Sequence, residues 1–140
     1  QGLKLSMFDI SDPYEIKEVN KTVLTDMFFS TAQYDHKSLM IDPEKNLIGF
    51  YAESYNPDIG DYNNYYIIYS YDPSAGFQEV FRCDILQDPD LSYGTGAYGK
   101  YTYTIRGLYI DNIFYLVNGN RICSYSMDTF RKLKGLVNSR

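Results

Sequence analysis

Among the residues able to move a proton near neutral pH, the chain offers a single histidine, His36, within Tyr34-Asp35-His36-Lys37. Such an imidazole can serve as an acid or base, and a carboxylate beside it can tune it. Neighbouring residues on a strand point to opposite faces, however, so Asp35 is poorly placed to orient the ring. No Gly-x-Ser-x-Gly elbow and no activated cysteine context accompanies His36, which leaves nucleophilic hydrolysis without its parts. The expected role of His36 is a structural hydrogen bond.

The two cysteines, Cys83 and Cys123, lie far apart in hydrophobic, strand-like surroundings and form no CxxC pair. With one histidine in the chain, a zinc site of the usual Cys/His kind has too few ligands. The expectation is two buried thiols, with a disulfide left to geometry. Asn56, Asp58, Asp61 and Asn63 gather hard oxygen ligands in one short span, as a surface calcium site would, but without the Asp-x-Asp-x-Asp-Gly order or bidentate Glu of an EF-hand. Turn chemistry accounts for them better. Gly94, Gly96 and Gly99 superficially suggest a phosphate cradle, yet no Lys-Ser/Thr or helix follows. Paired carboxylates of the glycosidase type would need two of the 18 acids to meet across a groove, and nothing in the sequence selects a pair. Tyr55, Tyr62, Tyr93 and Tyr98 fall in loop-like segments, where amphipathic rings could form a stacking platform for sugars or peptides. No residue is assigned to catalysis, to a cofactor or to a metal.

Composition narrows the partners further. The net charge is −5, from 13 basic and 18 acidic residues, with no long run of either sign. A polyanionic partner, nucleic acid included, needs a basic stripe, and the nearest candidate is the small cluster Arg131, Lys132 and Lys134, read as a solvated strand face. No stretch of 18 apolar residues, signal peptide or lipidation motif is visible, so no transmembrane segment is expected in this chain; an N-terminal portion is expected to precede Gln1.

The elements that must position these residues are strands. Sixteen Tyr and eight Phe, with no Trp, favour a pleated, half-buried surface. Alternating or apolar runs at 3–10, 16–24, 38–41, 47–52, 65–71, 77–86, 101–110, 113–117, 121–127 and 131–137 predict ten strands. Phe77, Glu79 and Phe81 are expected on one face, opposite Gln78, Val80 and Arg82. Turns are expected at 11–13, 42–46, 72–76, 111–112, 118–120 and 128–129, a projecting loop at 55–64, a polar connection at 25–35 and a flexible loop at 87–100. No segment carries an apolar face of helical period, so helix should be nearly absent.

A repeat organises the strands. Phe8 through Val19 superimposes without a gap on Tyr69 through Val80: aromatic, polar, apolar, turn, apolar, polar, Glu, Val. A third copy begins at Tyr125 and resumes at Phe130-Arg131-Lys132-Leu133 after dropping three turn residues. The aromatic anchors at 8, 69 and 125 recur after 61 and then 56 residues. About four strands per unit without helix fits the blades of a β-propeller with insertions, kelch blades running near ~50 residues and WD40 blades near ~42. The fold expected is all-β, with antiparallel four-stranded blades, about two to two and a half in number: outer strands of one blade in 1–25, a second blade in 36–90 and a third in 100–137. Each repeated unit would be a blade's outer hairpin, its last strand on the sheet edge.

The segments 3–13, 34–37, 42–47 and 106–110 resemble, in order, bacterial and archaeal secreted proteins with a C-terminal β-propeller distantly related to WD40 repeats. That resemblance implies a propeller and an extracellular or envelope-anchored parent, and carries no catalytic residue over. In WD40 blades a comparable histidine ties loops together. Two and a half blades cannot close a ring, so neighbouring blades or self-association through the exposed sheet faces are expected partners. The function expected is a non-catalytic binding or scaffold module contacting protein or glycan; the alternative is a fragment of a secreted hydrolase or lyase whose site lies mostly on other blades.

Overall fold

The computed structural model describes residues 2–93 and 105–137. Ten strands run in chain order: β1 (Leu3–Asp9), β2 (Lys17–Leu24), β3 (Met40–Asp42), β4 (Leu47–Asn56), β5 (Asp61–Asp72), β6 (Gly76–Asp84), β7 (Ile105–Ile110), β8 (Ile113–Asn118), β9 (Arg121–Ser126) and β10 (Lys132–Val137). They build three antiparallel sheets, the pair β1-β2 and the four-stranded β3-β4-β5-β6 and β7-β8-β9-β10. Fold class and antiparallel four-stranded sheets are as the alternation required. The helical content described is two three-residue 3₁₀ turns, Thr31–Gln33 and His36–Ser38, in the connection from β2 to β3.

The middle sheet is covered on both sides, which explains why its central strands read as continuous apolar runs. On β5, Tyr66 and Ile68 join the core shared with the third sheet, while Ile67 and Tyr69 join the core shared with the first. The larger core stacks Tyr66, Phe114 and Tyr125, with Phe81 edge-on to the last two at ring separations of 5.5 and 4.9 Å. Close approach of β7 depends on Gly107: a Cβ there would stand 2.0 Å from the buried Tyr66 hydroxyl.

Two sequence expectations are corrected. Residues 55–64 are not a loop throughout; β4 and β5 pair without interruption out to Asn56 and Asp61, so the segment is the tip of a long hairpin closed by a four-residue turn. Asn56 accepts a hydrogen bond from the Asp58 amide at 3.0 Å, the Asx chemistry that makes such turns. The second correction concerns β6. Phe77 packs into the core with the first sheet whereas Phe81 and Cys83 pack towards the third, because Val80 is an extra, unpaired residue between the pairs Ile68↔Phe81 and Tyr69↔Glu79. One inserted residue reverses every side chain beyond it.

That bulge recurs. Val19 is skipped between Met7↔Asn20 and Phe8↔Glu18, and Leu133 between Tyr125↔Lys132 and Ser124↔Lys134. Val19, Val80 and Leu133 are the aligned positions of the three sequence repeats, and all three are exposed. The repeat read from residue types is therefore a repeat of backbone geometry, with an irregularity on each outer strand that disfavours edge-to-edge pairing.

Candidate functional site

The hairpin tip brings aromatic side chains together in the open. Tyr55 and Tyr62 sit directly opposite each other on the β4–β5 ladder with ring centroids 4.5 Å apart. Phe28, from the connection after β2, meets Tyr62 edge-on at 6.4 Å and 67°. Phe28 is placed by two backbone bonds, its amide to the Glu53 carbonyl and the Glu53 amide to the Phe29 carbonyl, so the connection is tied to β4 by an isolated antiparallel bridge. The three rings, each about half exposed, wall a cleft of about 330 Å³ completed by Thr25, Asp26, Met27 and Pro57. Large apolar rings left in water, rimmed by polar residues, are surface equipped for contact rather than packing. Sequence reasoning named Tyr55 and Tyr62 as platform candidates but missed Phe28, whose position follows from tertiary pairing alone.

A polar knot lies between the second and third sheets. Lys132 on β10 donates to both oxygens of Asp88, at 2.8 and 2.7 Å, and to Asp90 at 2.9 Å. Cys123 closes the group, its sulfur and the two carboxylates lying within 4.8 Å of one another. Asp90 reaches this point because Gly135, opposite Cys123, has no Cβ, which would stand 2.4 Å from the carboxyl carbon. Burial alone would push the Lys132 ammonium down, but its bonds to Asp88 and Asp90 hold it above its ordinary value. The lysine supplies the cation that two acids and a thiol would otherwise invite, and the arrangement is an interblade ion pair. Lys132 is thus no part of a solvated basic face. Both cysteines are free and buried, and burial pushes the Cys83 thiol up to about 12, the reverse of an activated nucleophile.

The remaining sequence candidates separate. Asp35 caps the second 3₁₀ turn, accepting from the Lys37 amide at 2.9 Å, and takes Arg106 from β7 at 2.9 Å. The tie between elements is therefore made by Asp35, while His36 stands exposed in a turn rather than on a strand. Tyr93 is structural: its hydroxyl donates to the Asn118 carbonyl at 2.9 Å and the Arg121 guanidinium lies 4.8 Å over its ring. Gly94, Gly96, Gly99 and Tyr98 lie outside the described residues. Of the calcium candidates, Asn56 and Asp61 face each other across the last pair of the ladder, the Asn56 side-chain oxygen is spent on the Asp58 amide, and Asn63 lies farther down β5 opposite Ser54. A second opening, about 320 Å³ and mainly apolar, lies between Leu5 and Met7 of β1 and Ile41, Leu47 and Ile48 of the middle sheet. It flanks the edge of β1 that pairs with no strand among the described residues.

No helix among the described residues is long and apolar enough to cross a membrane. No curated protein and no solved structure matches the chain. One family model does, that of the beta propeller domain, over residues 1–130. Three antiparallel sheets carrying one repeated outer-hairpin geometry agree with that match, and the chain belongs to the beta propeller domain family.

Proposed function

We propose that the chain is a non-catalytic binding module of an extracellular or envelope-anchored propeller, with its ligand surface at the β4–β5 hairpin and the connection after β2. The observation that carries this reading is the cleft walled by half-exposed Phe28, Tyr55 and Tyr62. Three large rings brought together from the hairpin and the connection are costly to leave in water and supply contact area at low entropic cost once a partner covers them. The extracellular placement rests on the resemblance to secreted proteins drawn from residues 3–13, 34–37, 42–47 and 106–110. The open edge of β1 and its apolar flank support a second contact, with a neighbouring blade or another copy of the chain.

A panel of soluble oligosaccharides and peptides, titrated against the chain and against a Tyr55→Ala/Tyr62→Ala variant, tests the ligand surface. Binding that the double variant loses is the expected result. Binding that it retains in full would move the site elsewhere. Sedimentation tests the second contact: a concentration-dependent oligomer is expected, and a monodisperse monomer would remove it.

A further inference from the structure

The charges around the aromatic cleft point to the kind of partner it takes. The hairpin from Glu53 to Asn64 contains Glu53, Asp58 and Asp61 and no lysine or arginine, and Asp26 stands on the cleft wall beside Phe28. The neighbouring cation, Arg82, is already committed. Its guanidinium holds Glu79 at 2.6 Å and Asp26 at 3.1 Å and lies 5.0 Å over the Tyr65 ring. Burial first, and then the charge of Asp61, raise the Asp84 carboxyl above its ordinary value. Burial, and then the charge of Asp84, likewise raise the Tyr65 phenol. Arg82 thus balances Asp26, while Glu53, Asp58 and Asp61 on the hairpin take part in no salt bridge among the described residues, in a chain whose overall charge is −5.

Ring geometry agrees with the charge. Phe28 and Tyr62 meet at 67°, so they form two walls of a corner, and Tyr55 lies 4.5 Å from Tyr62 as a third ring beside it. The face of an aromatic ring is the negative end of its quadrupole, and a cation held within about 6 Å of a ring centroid is attracted to it. Among the described residues this contact is already made by Arg82 over Tyr65 and by Arg121 over Tyr93. A neutral sugar would stack on the rings and donate hydroxyls to the carboxylates but leave their charge uncompensated, whereas a cationic side chain gains from the rings and neutralises the charge as well.

We propose that the Phe28, Tyr55 and Tyr62 cleft receives the ammonium side chain of a lysine-bearing segment of a partner protein, whose charge is met by Asp58 and Asp61 of the hairpin. The inference rests on the binding-module reading and specifies its ligand. The open position at a hairpin tip suits an extended segment passing across it, with one side chain entering the corner between Phe28 and Tyr62.

The test follows the ring resonances of Phe28, Tyr55 and Tyr62 by NMR in the full chain. The probes are a five-residue blocked peptide with three central lysines, the same peptide with norleucine replacing lysine, and a neutral xylohexaose. The lysine peptide should shift these rings and bind at least about fivefold more tightly than the norleucine peptide, the loss expected when a cation–π contact is removed. Its affinity should fall between 20 and 500 mM salt by roughly a further severalfold, as exposed charges are screened. Tyr62→Leu and, separately, an Asp58→Asn/Asp61→Asn variant should each weaken it, and the second keeps all three rings and breaks no ion pair should the first disturb the hairpin. Equal binding of the lysine and norleucine peptides overturns the proposal. Shifts caused by xylohexaose with none from the lysine peptide also overturn it, while preserving the binding module with a sugar ligand. Rings unmoved by all three probes overturn both the proposal and the placement of the ligand surface at this cleft.

Discussion

The middle sheet makes two interfaces, and they are unequal. Towards the third sheet it shares a core of 14 buried residues among those described, centred on the stack of Tyr66, Phe114 and Tyr125 and sealed at one end by the Lys132 ion pairs. Towards the first sheet the buried core comprises seven residues, and Phe8, Val19, Val23 and Ile41 remain exposed around it. Two strands cannot cover a face that four strands present, so area limits the second interface where chemistry does not. The difference teaches that stability is graded along the chain, with β1 and β2 at its weak end.

The most damaging substitution expected is Gly107→Val. A side chain there would enter the Tyr66 hydroxyl and ring, with nearby atoms at 2.0 and 2.3 Å, and prise β7 from the middle sheet. A loss of about 4 kcal/mol in denaturant-induced unfolding is expected, and a loss under ~1 kcal/mol would show that β7 can withdraw without cost. Next, Phe114→Ala should cost about 3 kcal/mol and Leu3→Ala about 2 kcal/mol, because the first empties a stacked core and the second a thinner one. Hydrogen exchange sharpens the same contrast: β1 and β2 amides should exchange before those of β8 and β9, and simultaneous exchange would mean that the two interfaces unfold as one.

A smaller, pH-dependent effect separates the interfaces chemically. In the unfolded chain the Cys83 thiol ionises near its ordinary value of 9.0, whereas burial keeps it protonated in the folded chain up to about 12. Folding therefore retains a proton, and this contribution is fully present below pH ~9 and is lost as pH rises through ~12. Lys132, also held above its ordinary value, acts in the same direction at alkaline pH. The denaturation midpoint should hold between pH 7 and 9 and decline above, more shallowly in Cys83→Ala than in the parent chain. An identical decline in both would rule out the buried thiol as a cause. The smallest effect expected is that of Val80→Lys, within about 0.5 kcal/mol, since the side chain is exposed at an unpaired position. A change of ~2 kcal/mol in its unfolding would show that the bulge residue itself makes contacts.

The strands were legible because alternation, turn residues and β-rich composition agree along most of the chain. Residue types alone could not show the hairpin tip as paired: Asn56, Pro57, Asp58 and Gly60 read as one loop, yet four residues suffice to turn and the flanking tyrosines pair across the ladder. The bulge at Val80 was hidden for a related reason, since an inserted residue leaves composition unchanged and alters only the count. Two of the cleft's three rings were readable, Tyr55 and Tyr62. Phe28 was not, because it belongs to a connection with no period and is fixed by its neighbour's pairing with Glu53. The Asp88, Asp90 and Lys132 group was out of reach for the same cause: its members come together only when two sheets pack.

The recurrent bulge constrains how such a chain can vary. At Val19, Val80 and Leu133 the side chain is exposed and its identity matters little, but the number of residues on that strand decides which face everything after it shows. Deleting Val80 would turn Phe81 and Cys83 out of one core while leaving Phe77 in the other. Substitutions should therefore accumulate freely at these positions and single-residue gaps should not. The length of each outer strand, more than its letters, is what three copies of the unit have kept.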